Sequence, residues 1–78
     1  MKATHIMVMQ AGWVFVGTKT PSGLKNAACI RKWGTTKGLG QLALTGPTPD
    51  TILDPCGTVE VASSAVLFYI PVVELKWH

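Results

Sequence analysis

The ten residues Arg31-Lys32-Trp33-Gly34-Thr35-Thr36-Lys37-Gly38-Leu39-Gly40 gather three cations, two hydroxyls, an indole and three glycines. That mixture suits a phosphate-bearing ligand. Arg31, Lys32 and Lys37 would neutralise charge, Thr35 and Thr36 would donate hydrogen bonds, and Trp33 offers a flat face for a base. Gly34 and Gly38 let the backbone come close. A helix opening after Thr35-Thr36 would add unpaired N–H groups and a partial positive charge. The order is not that of a P-loop, which needs G-x-x-x-x-G-K-[ST], and the glycine spacing is not that of a dinucleotide fingerprint. Arg31 to Gly38 are therefore the expected ligand-binding residues. The plain alternative is a capped helix start with a packed Trp33 and solvated lysines.

Catalytic chemistry is poorly provided for. A Cys–His pair would need Cys29 or Cys56 to meet His5 or His78, and nothing local brings them together. Asp50 and Asp54 share a segment that reads as a loop, and paired carboxylates need a cleft that so short a chain can hardly build. Neither histidine has metal-ligand spacing to a cysteine. The expectation is a protein with no catalytic residue, no metal and no cofactor. Cys29 and Cys56 read as free and mostly buried thiols, and His5 as a satisfied structural residue.

The elements that position the basic segment follow from periodicity. Ile6 and Val8 alternate with His5, Met7 and Met9, a strand with apolar residues on both faces, so both should be covered. Ala11-Gly12 turns the chain, and Trp13 to Thr18 returns as a second strand. Thr20-Pro21-Ser22-Gly23 is turn chemistry. A third strand runs from about Leu24 to Trp33, kinked near Asn26. Thr35-Thr36 caps a helix over about 35–45, with Leu39, Leu42 and Ala43 inward and Gly46-Pro47 closing it. Gly38 and Gly40 within it call for a close neighbour. Residues 47–57 read as irregular and 58–61 as a short strand. Ala65 to Ile70 reads as a buried strand that Pro71 bends into an edge segment, Val72 to Trp77. The order is β-β-β-α-β-β: an α+β, mainly β domain, built as a small antiparallel sheet or partly open barrel with one short helix.

Size and composition bound the rest. Seventy-eight residues make a single small domain over 1–78, with 47% of residues hydrophobic and 14% charged, which excludes a disordered chain. By size scaling the folded surface is about 4,600 Å², with roughly 60% of the unfolded surface buried. The longest apolar run, Ala65 to Val73, carries Pro71 and falls short of the about 20 residues of a membrane span. With no cleavage-like site after the apolar start, the expected location is the cytoplasm. The first half carries Lys2, Lys19, Lys25, Arg31, Lys32 and Lys37 and no acid, while Asp50, Asp54, Glu60 and Glu74 stand in the second. A net charge of +3 is too small to indicate nucleic-acid binding. Trp13, Phe15, Trp33, Phe68, Tyr69 and Trp77 are more ring surface than so small a core can hide. A homo-oligomer or another interaction surface is expected to cover the excess.

The stretch N-A-A-C-I-R-K-W-G-T-T-K-G-L-G-Q-L-A-L-T-G-P-T (Asn26 to Thr48), followed by L-D-P-C-G-T-V (Leu53 to Val59), resembles small proteins encoded by phages and prophages. The resemblance implies a phage accessory protein, of a kind often directed against host defence. Two expectations follow. The first, favoured by the Thr35-Thr36-Lys37-Gly38 helix start, is capture, without cleavage, of a phosphate-bearing nucleotide signal in an infected bacterial host. The alternative is direct binding to a host defence protein such as a CRISPR effector, with hot spots at Trp13 or Trp77. The resemblance supplies no residue roles.

Overall fold

The structure is a computed structural model that describes residues 1–77. Five strands form one antiparallel sheet: β1 (His5–Met9), β2 (Val14–Thr20), β3 (Gly23–Lys32), β4 (Ile52–Glu60) and β5 (Val66–Pro71), in the order β4-β3-β2-β1-β5. One helix, α1 (Gly38–Thr45), lies between β3 and β4. The mainly β, α+β reading and its element order hold.

β1 sits inside the sheet, pairing Ile6 with Val16 and Ile70, and Val8 with Val14 and Phe68. Its alternation serves two cores. Ile6, Val14, Val16, Ala28 and Ile30 are buried with Leu42 and Ala43 of α1 and with Val72 and Trp77. On the other face Met7 is buried with Leu24 and Ala27, flanked by Met9, Phe15, Val59, Val66 and Tyr69. Sheet curvature makes that second cover possible. The register breaks at three points between β3 and β4 and once between β2 and β3, and Asn26 takes φ 48° at the expected kink. Bulges of this kind bend strands and raise local twist. The accessible surface of 4678 Å² is what a chain of this length should keep.

Three expectations need correction. The segment 52–57, read as irregular, belongs to β4. Pro55 and Gly57 look like strand breakers, but β4 is an edge strand, where one side of the backbone needs no partner. β5 is likewise an edge strand rather than a buried one, and Leu67 and Phe68 are exposed. The expected edge segment from Val72 to Trp77 is instead a short 3-10 turn, Glu74–Lys76, that seats Trp77 in the core. There the indole Nε1 donates to the Leu42 carbonyl at 3.2 Å, so Trp77 cannot serve as an exposed hot spot.

Candidate functional site

Arg31 and Lys32 end β3, and Trp33 to Lys37 form the loop into α1. The loop is held from beneath by the turn at residues 48–51. Thr51 Oγ1 donates to the Trp33 carbonyl at 2.8 Å, and Thr48 Oγ1 donates to the Gly34 carbonyl at 2.7 Å. Within that turn, the Thr51 backbone N–H donates to the Thr48 carbonyl and the Thr48 N–H to Thr51 Oγ1. Gly34 takes φ 70°, and a Cβ placed there would stand 2.4 Å from the Thr51 nitrogen. Only glycine lets the two turns approach this closely. The Trp33 ring comes over Gly38, 3.7 Å from where a Cβ of that residue would lie.

The helix begins later than expected, at Gly38 rather than near Thr35, and no side chain of its N-cap residue, Lys37, makes a cap hydrogen bond. The capping comes from inside the helix. Gln41 Oε1 accepts from the Lys37 backbone N–H at 2.8 Å and from Thr36 Oγ1 at 3.3 Å, while Thr35 Oγ1 donates to the Gly38 carbonyl at 2.8 Å. This is the back-reaching half of a capping box, one residue further along. The Thr35 and Thr36 hydroxyls expected to meet a phosphate, and the Lys37 N–H at the helix start, are therefore engaged within the chain. The close neighbour expected at the helix glycines is absent at Gly40, where an added Cβ meets nothing within 4 Å.

Arg31 is paired as well. Its Nε donates to Asp54 Oδ2 at 2.8 Å and its Nη2 to Oδ1 at 3.4 Å, both side chains being largely open to solvent. The hydrogen bond to Asp54, with its charge, pushes the guanidinium pKa further up. This is the one ion pair among the described residues, so Lys32 and Lys37 keep free ammonium groups. The eight expected residues are brought together on one loop and strand end, but only Lys32, Trp33 and Lys37 present unengaged side-chain chemistry.

Strand register places further exposed residues at the same end of the sheet, which periodicity alone did not reveal. Phe15 pairs with Cys29 and Lys32 with Ile52, so β2 starts where β3 ends. Val8 pairs with both Val14 and Phe68, which puts the start of β5 at the same end. The turn Gln10–Gly12, the Trp33 loop and residues 66–68 thus share one end of the sheet. Four large apolar side chains are exposed there: Trp13 at 59%, Trp33 at 42%, Leu67 at 59% and Phe68 at 51%. Trp13 stacks on Phe15 with ring centroids 6.1 Å apart and planes 11° apart, which fixes its orientation. A second exposed apolar group, Leu44, Val73 and Leu75, lies where the C-terminal turn meets α1, the Val73 N–H donating to the Ala43 carbonyl at 3.0 Å.

Elsewhere His5 is satisfied as expected, with Nδ1 2.9 Å from Thr4 Oγ1 and its ring edge-on to Tyr69. Both cysteines are free, but Cys29 is half-buried and Cys56 exposed, which corrects the expectation of mostly buried thiols. His78 lies outside the described residues. Among the described residues no side-chain polar atom is buried without a partner, no cluster of metal-ligating groups occurs, and no helix is long and apolar enough to cross a membrane. Comparison with protein-family models, curated proteins and solved structures finds no match.

Proposed function

We propose that this chain is a non-catalytic binding protein of the phage accessory kind, which docks the exposed end of its sheet on a host defence protein. The observation that carries the reading is that Trp13, Trp33, Leu67 and Phe68 are all exposed at one end of the sheet, with Trp13 and Phe68 on opposite faces, and that Lys32 and Lys37 at the same end keep free ammonium groups. Isolated exposed apolar residues are ordinary, but several exposed aromatic residues at one end of so small a sheet are the residue types that anchor protein interfaces. The lysines favour a partner surface with acidic residues at its rim. The link to phage and to host defence comes from the resemblance of Asn26 to Thr48 and of Leu53 to Val59.

Nucleotide capture is the second reading, favoured by one observation: Trp33 sits on a pinned loop between two unpaired lysines. It ranks below the first because the hydroxyls of Thr35 and Thr36 and the Lys37 backbone N–H already have partners. Self-association through Leu44, Val73 and Leu75 is part of the proposal, since these residues lie apart from the aromatic end.

The test is affinity capture from host lysate, followed by titration of the captured protein against single variants. Trp13→Ala or Phe68→Ala should weaken binding by about 30-fold or more, the roughly 2 kcal/mol of an interface anchor. Lys37→Ala should cost less than about tenfold, as a rim charge does. The reverse ranking would reject the proposed surface.

A further inference from the structure

Cys29 and Cys56 lie far apart in the chain, yet β3 and β4 bring them to nearly diagonal positions on neighbouring strands. Cys29 is paired with Asp54, Ala28 with Pro55, and Ala27 with Gly57, so Cys56 is the extra residue of a bulge. Regular diagonal neighbours on antiparallel strands are about 7–8 Å apart at Cα, a little beyond the about 4.4–6.8 Å that a disulfide spans. The bulge shifts Cys56 half a register toward Cys29 relative to that diagonal. Gly57, at φ 72° with open space around it, gives the strand freedom to close what remains.

We propose that Cys29 and Cys56 form a dithiol modification site, which a low-molecular-weight disulfide converts to a bridge between β3 and β4. The order of reaction follows from accessibility. Cys56 is exposed and Cys29 half-buried. Burial foremost, then the nearby Cys56 and Asp54, pushes the Cys29 thiol pKa up. Cys56 therefore supplies the first thiolate. It attacks one sulfur of the reagent disulfide and expels one thiolate, leaving a mixed disulfide on Cys56. The Cys29 thiolate then attacks the Cys56 sulfur and expels the second reagent thiolate. Two protein thiols are oxidised, one reagent disulfide is reduced to two thiols, and the two protons end on the expelled thiolates. The bridge would enclose residues 30–55, the segment that carries the Trp33 loop and α1. This inference does not depend on the proposed partner.

The experiment is titration of the folded, reduced full chain with glutathione disulfide, read by intact mass and by thiol-reactive dye. Both reactive thiols should be lost together, the mass should fall by two hydrogen atoms, and no chain-to-chain link should form. Near-UV circular dichroism should show that the tryptophans keep their folded environment. In Cys29→Ser, one glutathione should remain on Cys56. A wild-type chain that holds a lasting mixed disulfide with Cys29 still titratable would overturn the proposal, as would bridging between chains or no reaction at all.

Discussion

Trp33 is exposed on a loop whose backbone is held by two hydroxyls. Its carbonyl and that of Gly34 are held by the hydroxyls of Thr51 and Thr48, which fixes the backbone from which the indole projects. Gly34→Ala tests that constraint. A Cβ would press on the Thr51 nitrogen and the Asp50 carbonyl carbon at 2.4 and 2.5 Å, in a left-handed conformation. We expect a loss of about 2–4 kcal/mol in chemical denaturation, from strain and overpacking together. A change below about 0.5 kcal/mol, the range of a neutral surface substitution, would mean that the loop is not pinned as described. The chemistry of the loop was legible in its residue types, but the use made of it was not. The hydroxyls that hold it come from 14 and 18 positions away, and no local spacing announces such partners. Gln41, which caps the helix from within, likewise carries no signature when it stands one residue beyond the usual capping-box position.

At the scale of elements, α1 stays in place through Leu42 and Ala43, which are buried, rather than through intrinsic propensity. Gly40 is exposed with nothing near its missing Cβ, so it weakens the helix without serving a contact. Gly40→Ala should therefore raise stability by about 1 kcal/mol, the difference between the two residues within a helix. Thermal unfolding checks this, and a lowered midpoint would show that the close approach expected from the sequence exists after all. β1 could be read directly, because its alternation is strict and both faces are used. The end of β4 could be read as a strand too, but its stretch 52–57 could not, because Pro55 and Gly57 are breakers in a central strand and tolerable at an edge, and a sequence does not say which strand will be the edge. β5 failed for the same reason in the opposite sense: a run as apolar as Val66 to Ile70 looks buried, yet Leu67 and Phe68 face solvent.

For the whole molecule, the decisive limit is size. With 4678 Å² of surface and two small cores, the chain buries Trp77 and leaves Trp13, Trp33 and Phe68 outside. The early expectation of excess ring surface was sound, but which rings would be excess depended on long-range register. The separation of charge along the sequence is partly undone by folding, since β4 lies beside β3 and Asp54 neutralises Arg31. What remains exposed is an end of the sheet carrying aromatic rings and two free lysines, and the proposal that it lies against another protein rests on that end. The most direct measurement is native mass spectrometry of the chain recovered from host lysate. A complex with one host protein at fixed stoichiometry, lost in the Trp13→Ala, Phe68→Ala double variant, is the predicted result. A chain that instead returns with a bound nucleotide and no protein, unaffected by that double variant, would contradict the account.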